Sequence, residues 1–191
     1  MLNGQLSNFT NKHLSRYTNR QLELLEFLGY IYDRTYQDVQ RWRELRDKGW
    51  DSMTDAERQE WLGETLPSPS PCASKGMYTH NDLNRVESTV ENLAVWFREM
   101  GYDVPSVTVK VDWTHEDTIT KEDMDRYFSN VEIIRNVFNV FPNTPKTPTT
   151  NDKFDYLKAN DVEKILNDVF GVMDRIIDSW HYAGEIISGE V

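Results

Sequence analysis

The sequence predicts a mostly α fold: a helical bundle of three long helices plus a short helical hairpin, with an extended segment near 105–113 and extended termini. Three observations carry this. Apolar residues recur three and four positions apart over three long stretches, so each set lies on one helix face. Thr-x-x-acid boxes stand where helices would begin, at Thr35, Thr54, Thr79 and Thr120. Glycine or proline follows most of the stripes, where a helix would stop.

Residues 1–17 are rich in Asn and Ser and show no period, so they read as an arm. Thr18 with Gln21 caps an expected helix to about Leu28, after which LGYIY favours an extended turn to Asp33. We divide the chain accordingly into an N-terminal arm or extra helix, residues 1–31, and a helical bundle module, residues 32–191. Thr35 and Asp38 open a helix bearing Val39, Trp42 and Leu45, which Gly49 ends. Thr54 and Glu57 open a shorter one bearing Trp61, which Gly63 ends. Trp42, Trp50 and Trp61 are expected to pack this hairpin onto the main body; a stacking platform for sugar rings is the weaker reading. The stretch at about 65–76 is Pro/Ser-rich, and Pro67, Pro69 and Pro71 make it a loop.

Lys75 to Asp103 is the most self-consistent stretch. Its stripe is Leu83, Val86, Val90, Leu93, Phe97 and Met100, bounded by the Thr79–Asp82 box and by Gly101. Val107, Val109 and Val111 then alternate with Thr108 and Lys110, the period of an extended chain. A single strand here has no evident partner, so it is expected to lie across helices or to pair with the C-terminal tail. The next helix carries Met124, Tyr127, Val131, Ile134, Phe138 and Phe141 and is expected to run to Pro142. Asp155 caps the last, whose stripe is Ala159, Val162, Leu166, Val169, Met173, Ile176 and Trp180. Gly184 is expected to end it, leaving AGEIISGEV, with its two adjacent β-branched isoleucines, as an extended docking tail. Antiparallel packing at about +20° suits these stripes. A parallel coiled-coil trimer would want about three to four heptads per helix, more than they offer.

Lys and Arg number 21 against 32 Asp and Glu, giving a net charge of −11. Such a surface repels phosphate backbones and anionic lipid, so neither nucleic acid nor membrane is an expected partner. Cys72 is the only cysteine, which excludes a disulfide framework and a Cys-based metal cluster. No nucleotide-loop, zincin or nucleophile-elbow pattern is present. His13, His80, His115 and His181 share no spacing, and the best acidic cluster, Asp112, His115, Glu116 and Asp117, lacks the pattern of a calcium loop. The expectation is therefore a non-enzyme with no catalytic, cofactor-binding or metal-binding residues to assign.

A set of phrases in order resembles a known module. They are YDRTYQDVQR (Tyr32 to Arg41), KGWDSMTDAERQEWL (Lys48 to Leu62), KGMYTHNDLNRVE (Lys75 to Glu87), TITKEDMDRYFSNVEIIR (Thr118 to Arg135), YLKANDVEKIL (Tyr156 to Leu166) and HYAGEIISGE (His181 to Glu190). Together they are similar to a helical module of virion proteins, tail, baseplate or fibre-associated, of bacteriophages and prophages of Gram-positive bacteria. The SPSPCAS insertion departs from that pattern, and residues 1–31 have no counterpart in it. The resemblance implies a structural protein of a virion, made in the host cytoplasm, that contacts other virion proteins or itself; the alternative is a carbohydrate- or receptor-binding module at the tail tip, holding a host surface glycan with exposed Trp and Tyr. It carries over no catalytic residue. The central stripe generates one test: Leu93→Ala should cost about 2–5 kcal/mol in chemical denaturation. A loss below about 1 kcal/mol would turn the stripe away from the core.

Overall fold

The computed structural model describes residues 31–62, 75–150 and 153–188, with 181–188 by backbone alone. The expected arm at 1–30, Gly63, Cys72, most of the Pro/Ser-rich loop and residues 189–191 lie outside the described residues. The protein is mostly helical, with no β-strand among the described residues. Helices α1 (Tyr36–Lys48) and α2 (Asp55–Trp61) flank a short 3₁₀ turn, Trp50–Ser52. Then come α3 (His80–Glu99), α4 (Lys121–Arg135) and α5 (Tyr156–Ser188).

The Thr-x-x-acid boxes start four of these helices. Thr35, Thr54, Thr79 and Thr120 each donate their backbone N–H to the acid three residues on, at 2.7, 2.8, 2.7 and 3.0 Å. Asp155 caps α5 by accepting from the amides of Leu157 and Lys158. Gly101 ends α3 at φ 89°, with its N–H on Arg98 and that of Tyr102 on Phe97. This paired closure needs the left-handed backbone that glycine adopts without strain.

Helices α3, α4 and α5 pack pairwise against one another. Leu83, Val86, Val90, Leu93 and Phe97 are all buried, against Tyr127, Val131 and Ile134 of α4 and Val162, Leu166, Val169 and Met173 of α5. Helices α1 and α2 form a satellite hairpin, with Trp42 and Trp61 stacked on each other at 6.4 Å and Leu45 fully buried. Gly76 lets the chain pass directly against α1: a Cβ there would stand 2.0 Å from the Asp38 carbonyl oxygen.

Three expectations are corrected. Helix α4 stops at Arg135 and does not reach Phe141. Val137 donates to Ile134 in a tightened last turn, and the chain leaves the helix there. Phe138 then stands edge-on against both Phe97 and Tyr102, at 4.8 Å from each. On α5, Trp180 is 52% exposed and Ile177 is buried instead. A straight helix drifts about 20° per heptad from a seven-residue stripe, so a strict 3–4 repeat rotates away by its third heptad. Finally, α5 runs through Gly184 to Ser188, so the tail is not extended. One interior glycine costs only about 1 kcal/mol, and helix propagation is cooperative enough to absorb it.

Val107 to Val111 joins no sheet and lies across α3 and α4. Side chains take the place of a neighbouring strand. Asn84 accepts from the Trp113 amide at 2.8 Å and donates to its carbonyl at 2.9 Å. Asn130 does the same for Thr108, at 3.3 and 2.6 Å. Glu87, buried, accepts from the Lys110 amide at 2.7 Å and the Trp113 indole at 2.9 Å. Arg126 closes on Glu87 and on the Thr108 carbonyl. Asn130→Ala should therefore cost about 1–3 kcal/mol by stranding the Thr108 amide and leaving its carbonyl to Arg126 alone. It should also speed hydrogen exchange at Thr108 while leaving α3 amides protected. Unchanged exchange at Thr108 would show that Asn130 does not hold the segment.

Candidate binding cleft

Residues 31–35 lead into α1 as an extended strap against α3 and α5. The Ile31 amide donates to Glu163 at 2.6 Å. The Arg34 amide donates to Asn160 at 3.1 Å, and Asn160 returns a bond to the Arg34 carbonyl at 2.8 Å. The Arg34 guanidinium then pairs with Glu163 at 2.8 Å and with Asp82 at 3.3 Å. Arg85 completes the cluster, at 2.6 Å from Glu163 and 2.8 Å from Asp82. Two cations face two carboxylates, so the group is neutral, and its members are almost wholly withdrawn from water.

Neighbouring groups respond to this charge. Burial pushes the Tyr78 phenol well above its ordinary range, and the charges of Glu163 and Asp82 push it further. Tyr127, whose hydroxyl is 2.5 Å from that of Tyr78, is raised mainly by burial as well. Both phenols stay protonated and act as hydrogen-bonding fillers. Burial alone would lower Arg85, but the charge and hydrogen bonds of Glu163 hold it above its ordinary value.

The strap and Gly76 hold α1 beside the core, and a cleft of about 630 Å³ remains between them. Such a volume suits a drug-sized molecule or a short peptide stretch. Tyr36, Val39 and Arg43 line it from α1; Trp113, His115, Asp117 and Ile119 from the end of the extended segment and the turn after it; Lys153, Phe154 and Tyr156 from the lead into α5 and its first residue. Helices α1, α3 and α5 all begin at its wall, and an acid already accepts from backbone at each start: Asp38 from Thr35, Asp82 from Thr79, and Asp155 from Leu157 and Lys158. Arg43 and Lys153 are exposed, and neither forms an ion pair with a described residue.

The structure scatters most of the sequence candidates and joins two. His80 and His115 stand with ring centroids 6.4 Å apart at the cleft, a pairing their positions in sequence did not suggest. In the acidic cluster, Asp117 is bonded to the Thr114 amide and to Lys110, at 2.7 and 2.9 Å. His115 and Glu116 are exposed beside it. Among the described residues no three His, Cys, Asp or Glu are placed to hold a metal ion. The tryptophans share no groove: Trp42 and Trp61 pack on each other, Trp50 is exposed under Arg58, and Trp113 is buried.

Sequence reasoning missed the buried acids Glu87, Glu163 and Asp168. Glu87 and Glu163 each directly follow a core valine, Val86 and Val162, and that position on the inner face was the available signal.

Asp117 also generates a pH test. Its bond to Lys110, then that to the Thr114 amide, hold its carboxyl at about 2, below the ordinary 3.8. A carboxylate depressed by folding contributes stability above its unfolded pKa and loses it as pH falls through the folded one. The Lys110–Asp117 tether should thus persist at pH 4 and release towards about pH 2. A carboxyl-carbon NMR titration of Asp117 with its midpoint near 3.8 would refute the tether.

No protein-family model matches this chain, and no curated protein or solved structure matches it either.

Proposed function

We propose that this protein is a non-enzymatic structural component of a phage particle, associated with the tail, baseplate or fibre. In this reading α3, α4 and α5 form a three-helix bundle, a rigid body that carries the satellite hairpin and docks to neighbouring virion subunits. One observation carries it furthest. The buried acids are each engaged in holding elements together: Asp82 and Glu163 with two arginines, Glu87 with Arg126 and two N–H groups, Asp168 with Thr144 and Lys164. A carboxylate so paired is poorly placed to serve as a general acid or base. The resemblance of the chain's phrases to virion modules gives the setting. A host-glycan module is the weaker reading, because it wants several tryptophans along one groove. The surplus of acids disfavours nucleic acid and anionic membrane as partners, and no described helix is long and apolar enough to cross a bilayer. Its place is the virion, after synthesis in the host cytoplasm.

Quantitative mass spectrometry of purified particles tests this. The protein should copurify at a fixed ratio to the major tail proteins. Abundance in the lysate with absence from particles would overturn the proposal.

A further inference from the structure

We infer that the cleft between α1 and the core receives a short acidic peptide segment of a partner protein, with an apolar or aromatic side chain seated among its rings. This rests on the docking role proposed above and names the chemistry of the partner. Three observations carry it. First, the α1 stripe Tyr36, Val39 and Arg43 faces the cleft at i, i+3 and i+7, a spacing that ordinarily packs against a neighbour. Tyr36 is nonetheless 55% exposed, and Ile119 on the facing wall 48%. Large apolar groups left open around a concave site mark a docking surface.

Second, the charges differ from those of the rest of the chain. The protein carries −11 overall, and the buried Arg34–Asp82–Arg85–Glu163 group beside the cleft sums to zero. Of the two acids on the lining, Asp117 is paired with Lys110, while Asp155 turns its carboxylate to the α5 amides and is the one acid there with no described cation partner. Arg43 and Lys153 remain as cations without a described partner, one on each wall. Acids elsewhere on the surface are screened beyond about 8–10 Å at physiological salt. The local field therefore favours carboxylates despite the overall charge.

Third, rings and cations share the lining: Tyr36 and Arg43 stand on α1, and Lys153, Phe154 and Tyr156 lie at the entry to α5. An aromatic or aliphatic side chain between two acidic residues would match both features. The apolar rim at Tyr36 and Ile119 extends the surface past one buried side chain, which favours a polypeptide over a small carboxylate.

The test uses the full chain and a fluorescein-labelled peptide of about ten residues, a central Phe flanked by Asp and Glu, read by fluorescence anisotropy. Competitors are a Lys-flanked peptide, benzoate and inorganic phosphate. Binding should be saturable, weaken as NaCl rises, and fall by on the order of tenfold in Arg43→Glu and in Lys153→Glu. Arg46→Glu, an exposed cation of α1 that does not line the cleft, should bind as the parent does. Circular dichroism checks each variant, and if one misfolds the other decides. Failure of the parent to bind the peptide would overturn the inference, as would an equal loss in Arg46→Glu. So would binding of benzoate or phosphate without the peptide, which would make this a small-anion site. Peptide binding by a protein absent from particles would remove the virion setting and leave the cleft's specificity standing.

Discussion

The buried group of Arg34, Asp82, Arg85 and Glu163 is the constraint on which the rest of the structure depends. Taking an ion out of water costs several kcal/mol, so each member is tolerable only while its partners are in place. Those partners come from three separate parts of the chain: the strap before α1, the start of α3 and the second turn of α5. Charge pairing therefore acts here as a register mark. It specifies where α3 sits along α5 and brings residue 34 to both. An apolar contact of equal area would tolerate sliding. A four-membered ion group that also takes the Ile31 amide, with Asn160 fastening the Arg34 backbone beside it, does not.

A second polar group performs the same task for the connection between α3 and α4. An extended segment without a neighbouring strand would leave its amides and carbonyls unpaired at the protein surface or in contact with apolar side chains. Asn84 and Asn130 each supply one acceptor and one donor to a single residue of the segment, copying the exchange made by a neighbouring strand. Glu87 adds two acceptors and draws in Arg126. Trp113 is buried as a result, and its neighbours His115, Asp117 and Ile119 are carried to the mouth of the cleft.

The cleft follows from these two devices together. The strap and Gly76 hold α1 beside the core, while the extended segment walls off the opposite side. Neither wall closes on the other, so apolar groups and cations remain open between them. The polar groups that build the walls are used up in doing so. What is left over is the part of the lining that serves no internal bond, and the docking role proposed above draws on those residues.

Local structure was largely legible in the sequence, because its causes are local. A Thr three residues before an acid starts a helix through bonds inside one turn, and Gly101 stops α3 through its own backbone freedom. The stripe of α3 likewise depends only on the helical period, and its members from Leu83 to Phe97 lie in the core. Where distant groups compete, the sequence was silent or misleading. Phe138 leaves the helical path for rings on residues 97 and 102, and Ile177 replaces Trp180 because a straight helix outruns its heptad stripe. The candidate site belongs wholly to this second class. Arg34 meets Glu163 across 129 positions, and His80 meets His115 beside the point where Asn84 and Glu87 fasten Trp113 to α3. Periodicity reports which face of a helix is apolar. Which charge will be buried against which is decided only when the helices are packed, since that choice turns on geometry between segments and on the cost of leaving an ion unpaired.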